Sequence, residues 1–491
     1  MSSKRHILCC LRSTFLAALA LGLAFGVPAA GGLRQGIDLY KQGDTEGALS
    51  EIRASVQSNP KDAAARRWLG FLLLNKQDYN GALEHLLEAR KLNADGPELR
   101  NNLGMAYLGL GENAKAAVEL EEAVRLRAEW PEALYNLGTA HLKQGRPNDA
   151  IRAYRQAAEL SPNDANIRNN LGTALLEVGR TDEAIEQFTM ACELQPNSQE
   201  MAVNLGVANK RKGNSEGARS AFEKALALGP DNYTARVGLA EALVAMGDEA
   251  KAIEHYQAAA VLSPGEFAPH YNLGVLYSKS GQFGKALEPF ASALKADPES
   301  VEARAYLGWA RFKSGSPSEG ISDLEAAVAR DPKFLPAWLN LATAYTVENR
   351  HQDAMRAWKR VRELAPDNVG AAVNLGNEYL RVGRHQDALE QYQAAVALDS
   401  GSAAGHFGMG AALSALGRTD DAIAAYKKAI QANPKMATAY NNLGVELEKK
   451  DFRDEAKEQY RAALRVDPRN EEARHNLERF GEIPGLTGTT P

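Results

Sequence analysis

Residues 131–164 read PEALYNLGTAHLKQGRPNDAIRAYRQAAELSPND, and residues 165–198 continue with ANIRNNLGTALLEVGRTDEAIEQFTMACELQPNS. Both segments place Leu-Gly, a central Gly and a late Pro at the same positions. The spacing of 34 residues continues without insertion or deletion over residues 29–470, which makes thirteen units. Repetition at a fixed spacing of this size indicates a repeat architecture. The units start at residues 29, 63, 97, 131, 165, 199, 233, 267, 301, 335, 369, 403 and 437.

Small residues and helix breakers occupy fixed positions in each unit. Gly138 at the eighth position and Ala150 at the twentieth are typical. A bulky side chain at either position would overpack a close contact between two helices, at a cost of about 1–3 kcal/mol. Gly145 at the fifteenth position is suited to end a first helix, and Pro162 at the thirty-second position to end a second. The pattern therefore predicts two antiparallel helices, here called helix A and helix B, in every unit.

These positions resemble the tetratricopeptide repeat family over residues 29–470. The resemblance implies an all-α fold, an α-solenoid in which thirteen helix pairs form a right-handed superhelix and helix A lines the concave side. Residues 471–480 repeat the helix A pattern and are predicted to cap the stack, and residues 481–491 to form a flexible tail. The first unit departs most from the pattern, with Gln35 in place of the usual Leu. We expect its helix A to be short.

Residues 1–30 differ from the rest of the chain. Lys4, Arg5 and Arg12 precede an uncharged, mostly apolar run over residues 13–27, which is followed by small residues. This order predicts a secretory signal peptide, and hence an exported protein of the bacterial periplasm or envelope. An uncleaved membrane anchor is the alternative, although a membrane span needs about 20 apolar residues.

The composition, with 45% hydrophobic and 24% charged residues, favours a folded, helix-rich chain. Nucleic acid is not expected as a partner, because the net charge is -5 and no basic cluster follows the N-terminus. Beyond residue 30 the only cysteine is Cys192, which we expect to be packed.

The sequence contains no HExxH, phosphate-loop, GxSxG or paired CxxC motif. The repeats leave too few residues for a separate catalytic domain. We therefore predict a protein that is not an enzyme, with no cofactor, no metal site and no small-molecule substrate.

An asparagine column occupies the sixth position of helix A. An amide side chain both donates and accepts hydrogen bonds, so a row of amides can bond the main chain of an extended peptide. The column is similar to the asparagine ladder in the superhelix of O-linked N-acetylglucosamine transferase, where that face holds peptide; the catalytic domain of that enzyme has no counterpart here. A local structural role for the amides is the other interpretation. The column comprises Asn102, Asn136, Asn170, Asn204, Asn272, Asn340, Asn374, Asn442 and, in the cap, Asn476.

Apolar side chains accompany the column at the fifth and ninth positions. An exposed stripe of this kind marks an interaction surface, and we expect a binding groove over the sixth to twelfth units. Burial of the stripe by tight superhelical winding is the alternative. The stripe comprises Tyr135, Val203, Val207, Val237, Tyr271, Val275, Trp309, Leu339, Val373 and Phe407.

A basic column occupies the thirteenth position of helix A. Its cations would either form a rim for an acidic ligand or complement the dipole at the end of the helix. The column comprises Lys143, Arg211, Lys279, Lys313, Arg381 and Lys449.

These features together predict a non-catalytic scaffold of the bacterial cell envelope that binds partner proteins or extended peptides. It would act within a multiprotein assembly, either associated with the membrane or not, for secretion, pilus formation, gliding motility or polysaccharide export. The alternative is a peptide-binding specificity subunit that recruits a separate envelope enzyme. A third interpretation, which follows from an uncleaved anchor, is a membrane-anchored scaffold in the cytoplasm.

Overall fold

The computed structural model describes residues 31–481, and every regular element in that range is an α-helix. The predicted all-α solenoid of helix pairs is thereby confirmed. The chain divides into two compact bodies, an N-terminal body that ends at Ser263 and a C-terminal body that starts at Pro264. The predicted signal peptide and residues 482–491 of the predicted tail lie outside the described residues. The right-handed superhelix implied by the resemblance stays a prediction.

The described part of the N-terminal body contains seven helix pairs. The helix A of the first pair, α1, begins at the first described residue. The helices are α1 (Gly31–Lys41), α2 (Thr45–Ser58), α3 (Ala63–Asn75), α4 (Tyr79–Lys91), α5 (Pro97–Gly109), α6 (Asn113–Leu126), α7 (Pro131–Lys143), α8 (Pro147–Leu160), α9 (Ala165–Glu177), α10 (Thr181–Leu194), α11 (Gln199–Lys212), α12 (Ser215–Leu228), α13 (Tyr233–Met246) and α14 (Glu249–Leu262).

The described part of the C-terminal body contains six helix pairs and a final single helix. That last helix occupies the region where the sequence predicts a cap. The helices are α15 (Phe267–Lys279), α16 (Phe283–Ala296), α17 (Val301–Lys313), α18 (Pro317–Arg330), α19 (Leu335–Val347), α20 (His351–Leu364), α21 (Val369–Arg381), α22 (His385–Leu398), α23 (Ala403–Ala415), α24 (Thr419–Ala432), α25 (Ala437–Lys449), α26 (Arg453–Val466) and α27 (Glu471–Glu478).

The turn between helix A and helix B requires a left-handed residue at the fifteenth position. Gly145 supplies it with φ +71°, a conformation that glycine adopts without steric cost. Where glycine is absent, Gln77 (φ 63°), Asn349 (φ 55°) and Asp451 (φ 63°) take the same conformation. The turn geometry therefore persists in units that lack the predicted glycine.

The glycine at the eighth position allows the two helices of a pair to pack closely. A Cβ atom on Gly138 would lie 2.7 Å from Cε1 of Tyr154, and one on Gly172 would lie 2.8 Å from Cε1 of Phe188. Both rings are almost fully buried. The aromatic ring of helix B thus occupies the space left by the missing side chain of helix A.

The fourth position of helix A ties the helix to the preceding turn, a role that the sequence analysis missed. Nε of Arg168 donates a hydrogen bond to the carbonyl of Pro162 over 3.1 Å, and Nε1 of Trp338 donates to the carbonyl of Pro332 over 3.1 Å. Arginine recurs at this position, but His and Trp make the same contact in other units. The same contact, six residues back along the chain, is made by Arg66, Arg236, His270, Arg304, His406 and Arg474.

Between residues 31 and 481, no helix combines the length and apolar character that a membrane span requires.

Candidate groove on the helix A face

The asparagine column lies along successive helix A elements, as the repeat spacing requires. Asn170 and Asn204 are buried, and the other members are half-buried. The column is divided between the two bodies. Asn102, Asn136, Asn170 and Asn204 lie on α5, α7, α9 and α11, whereas Asn272, Asn340, Asn374, Asn442 and Asn476 lie on α15, α19, α21, α25 and α27.

In the N-terminal body, three asparagines bond to the preceding repeat. Nδ2 of Asn136 donates to Oδ1 of Asn101 over 3.0 Å, and Nδ2 of Asn204 donates to Oδ1 of Asn169 over 2.9 Å. Nδ2 of Asn170 likewise donates to the hydroxyl of Tyr135 over 2.8 Å. Each acceptor stands at the fifth position of the previous helix A, 35 residues earlier. These amides therefore join neighbouring repeats, which is the local structural role.

In the C-terminal body, two asparagines lack both this acceptor and any other side-chain partner within the described range. The residues 35 positions before Asn340 and Asn374 are Ala305 and Leu339, whose side chains cannot accept a hydrogen bond. No side-chain hydrogen bond involves Asn340 or Asn374 among residues 31–481, and both are half-buried. Their amides are available to a ligand.

The remaining asparagines of the column are mixed. Asn272 is engaged within the chain, and Oδ1 of Asn442 accepts a hydrogen bond from Nδ2 of Asn441 over 3.3 Å. Nδ2 of Asn476 in the cap donates to Oδ1 of Asn441 over 3.0 Å, which repeats the arrangement of the N-terminal body. Asn102, which follows Arg67 by 35 residues, has no side-chain hydrogen bond within the described part of the chain.

The apolar stripe is half-buried along most of its length, and only Val203 is buried. Tyr135 packs against Tyr154 with ring centroids 5.8 Å apart, and Phe407 packs against Tyr426 at the same separation. Val207, Tyr271 and Val275 contact the hydrophobic clusters of their own bodies. The stripe therefore contributes to packing and keeps only part of its surface accessible.

Trp309 lies on α17, the helix A that precedes the one carrying Asn340. Its ring stacks on Phe312 with a centroid distance of 5.6 Å and an interplanar angle of 16°. Nζ of Lys313 lies 5.8 Å from the Trp309 centroid, within the range of a cation–π contact. These contacts hold the half-buried indole in place on the helix A face.

The basic column makes local contacts. Arg211 Nη1 donates to the carbonyl of Leu176, in the last turn of the preceding helix A, over 2.6 Å. Lys449 Nζ donates to Oε1 of Glu446 over 2.6 Å, and Arg381 Nη1 donates to Oε1 of Glu378 over 3.2 Å. These pairings favour the structural interpretation of the column over a rim for acidic ligands.

A cavity of about 530 Å³ opens in the C-terminal body, next to the start of α15 and α17. Of the residues that surround it, the sequence analysis had selected only Tyr271. A signal was present in the segment ADPESVE, residues 296–302, where three acidic residues surround the turn between α16 and α17. The walls include Phe267, Tyr271, Asp297, Glu299, Glu302 and Asp331.

Tyr271 is half-buried in the wall of this cavity. Burial raises the pKa of its hydroxyl to about 12, with smaller contributions from Tyr306 and from the negative charge of Glu302. Phe267 and Tyr271 stack with ring centroids 5.2 Å apart and an interplanar angle of 19°. Tyr271 also packs edge-on against Phe290 and Tyr306. The aromatic wall is therefore fixed by packing on several sides.

No group of three His, Cys, Asp or Glu side chains suited to hold a metal ion occurs within residues 31–481. Cys192 is buried against Ala165, Ala191 and Met201, as predicted. Burial raises the pKa of its thiol, so the thiolate that nucleophilic chemistry requires is disfavoured.

Comparison with protein families gives matches along most of the chain. One family, described as tetratricopeptide repeat, matches residues 33–97, 72–133, 135–199, 203–267, 271–333, 373–437 and 407–448. Two further families with the same description match residues 311–375 and 437–470.

Comparison with solved structures finds shorter proteins that resemble part of the chain. MamA is 28% identical and covers 33% of this chain and 95% of its own, with a TM-score of 0.33. YrrB, described as a TPR protein with an unusual peptide-binding site, is 28% identical and covers 38% of this chain and 95% of its own, with a TM-score of 0.34. None of the curated proteins searched matches the chain.

Proposed function

Since the chain belongs to the tetratricopeptide repeat family, we propose that it is a non-catalytic scaffold that binds extended segments of partner proteins along its helix A face. A scaffold of these repeats is consistent with a role in binding proteins or peptides. Such arrays offer extended surfaces built from side chains at equivalent positions of successive repeats. The proposal concerns the C-terminal body in particular.

The observation that carries the proposal is the pair of free amides at Asn340 and Asn374. They stand at equivalent positions of successive repeats, on α19 and α21. Each amide can donate to a peptide carbonyl and accept from a peptide N–H group, whatever the peptide sequence. One such bond contributes only about 0.5–1.5 kcal/mol, so binding also needs apolar contact.

Apolar contact is available around these amides. Trp309, Leu339, Val373 and Phe407 occupy neighbouring fifth and ninth positions of the same body, and all four are half-buried. Removal of their remaining accessible surface from water would stabilise a complex by about 25 cal/mol per Å². Free amides between apolar side chains suit an extended peptide. Its main-chain N–H and C=O groups can bond the amides, and every second side chain can lie against the apolar surface.

The test is selection of a random displayed peptide library against the full chain, followed by affinity measurement of a selected peptide. The double variant Asn340→Ala/Asn374→Ala should weaken binding about tenfold, since two hydrogen bonds are lost. The matched control is Asn136→Ala/Asn204→Ala, which removes two column amides that already bond within the protein. Equal weakening by both variants, or failure to select any peptide, would refute the proposal.

We further propose that the scaffold acts in the bacterial cell envelope, within a multiprotein assembly. The support is the order of charge and apolar residues in segment 1–30. N-terminal sequencing of the protein from fractionated cells should find a chain that starts near residue 31 in the periplasmic or envelope fraction. An intact residue 1 in the cytoplasmic fraction would refute this location.

A further inference from the structure

The cavity beside Phe267 and Tyr271 has a chemical character that differs from the amide groove. It combines a stacked aromatic wall with four carboxylates, and none of its lining residues is a cation. Aromatic ring faces attract cations by about 0.5–1 kcal/mol at exposed sites and more when water is excluded. Aromatic and carboxylate groups around one space therefore favour the same class of ligand.

The four carboxylates of the cavity differ in whether a cation of the protein neutralises them. Glu299 forms an ion pair with Arg330. Asp297, Glu302 and Asp331 have no ion-pair partner among the residues that the structure describes. Their contacts are with neutral groups: Oδ1 of Asp331 accepts from the Lys333 N–H over 2.8 Å, Oδ1 of Asp297 accepts from the Glu299 N–H over 3.1 Å, and Oε2 of Glu302 accepts from the Ser300 hydroxyl over 3.4 Å. The uncompensated charge at the cavity is negative.

The cavity size fits a long side chain rather than a folded partner. At about 530 Å³ it falls within the range of ligand pockets, roughly 300–1,000 Å³. Tyr271 belongs both to the cavity wall and to the fifth-position stripe of the groove, so a peptide on the stripe would pass the cavity opening. A long side chain of that peptide could then enter.

We propose that this cavity binds an arginine or lysine side chain of the extended peptide, and thereby selects partner segments with a basic residue. The inference rests on the proposed function, because it assumes a peptide on the helix A face. The aliphatic part of the side chain would lie against Phe267 and Tyr271. Its cationic end would lie between Glu302, Asp331 and Asp297.

The test uses peptides selected from the displayed library on the full chain. We expect arginine or lysine at a fixed place in the selected peptides. Replacement by citrulline or norleucine, which are neutral and similar in length, should weaken binding about threefold to tenfold. This loss should shrink as the salt concentration rises, because salt screens exposed charges.

Protein variants locate the effect. Glu302→Gln/Asp331→Asn should reduce the preference for arginine over citrulline, mainly through weaker binding of the arginine peptide. The control, Asp367→Asn/Glu390→Gln, makes the same charge change at exposed sites of the same body that lie outside the cavity wall. It should keep the preference.

The two proposals fail in different ways. Selected peptides without a fixed basic residue, or equal binding of arginine and citrulline peptides, would refute the cavity proposal and leave the amide groove intact. A preference that survives Glu302→Gln/Asp331→Asn would also refute it, provided that circular dichroism shows the variant to be folded. Failure to select any peptide would refute the groove and the cavity together.

Discussion

Two stretches of the asparagine column, one in each body, make different contacts. In the N-terminal body, Asn204 lies buried and donates to Asn169, so its amide joins two repeats. In the C-terminal body, Asn374 faces Leu339 at the equivalent place and has no side-chain hydrogen bond within the described range. For Asn204 and Asn374, the residue 35 positions earlier makes the difference, since Asn169 can accept a hydrogen bond and Leu339 cannot. Recurrence of a residue type along a repeat array does not by itself identify a binding column.

Repeats also differ in the side chain at the twenty-fourth position, and this difference gives the largest expected effect. Tyr426 in α24 is buried, and desolvation raises the pKa of its hydroxyl to about 12. A raised pKa means that the folded state retains the proton more strongly than the unfolded state. The stabilisation is therefore complete below pH 10 and is lost as the pH rises towards 12, by about 2–3 kcal/mol in total.

Above pH 10, the helices around Tyr426 should therefore lose protection against hydrogen exchange. The equivalent positions in α10 and α12 carry Phe188 and Phe222, which cannot ionise. The variant Tyr426→Phe should keep more protection in α24 at high pH than the parent chain keeps. Loss of protection at the same pH in parent and variant would show that another group controls alkaline unfolding.

The second-largest expected effect concerns a column asparagine that bonds within the protein. Asn204→Ala would leave Oδ1 of Asn169 buried without its donor, at a cost of about 1–3 kcal/mol. Asn374→Ala removes an amide with no partner in the protein and should change stability by less than about 0.5 kcal/mol. Exchange protection of α9 and α11, compared with α19 and α21, measures both. Equal effects of the two substitutions would contradict the difference between the bodies.

The smallest expected effect comes from giving Asn374 the kind of acceptor that Asn204 already has. Leu339→Asn places an acceptor 35 residues before Asn374 and should engage its amide, which weakens binding of a selected peptide severalfold. Val373→Asn makes a similar apolar-to-amide change, but the residue 35 positions later is Gly408, so the new amide has no partner in the column of the next repeat.

The comparison of Leu339→Asn with Val373→Asn is best made in two backgrounds. The difference in peptide affinity between them should disappear when Asn374 is also changed to Ala, since the amide is then absent. A difference that persists would mean that lost apolar contact, rather than capture of the amide, explains the weaker binding.

Much of the fold could be predicted from the sequence because it depends on local sterics. Glycine at the eighth position predicted the close approach that the structure shows between Gly138 and Tyr154. The left-handed turn, however, also forms at Gln77, Asn349 and Asp451, where no glycine indicates it. The surrounding helices impose the turn at those units and offset its cost of about 1 kcal/mol. The ties from Arg168 and Trp338 to the preceding turns were missed because Arg, His and Trp all make the contact, and an arginine at a helix start does not by itself indicate it.

The sequence by itself determined the repeat length, the paired helices and the columns of the helix A face, since each follows from backbone geometry and from a spacing of 34 residues. Only the tertiary structure decided which amides are free and where a cavity opens. A hydrogen bond needs an acceptor within about 3 Å, and for Asn204 or Asn374 that acceptor would have to come from the neighbouring repeat. The cavity likewise depends on how α15, α17 and the turns beside them place Phe267, Tyr271 and the carboxylates around one space.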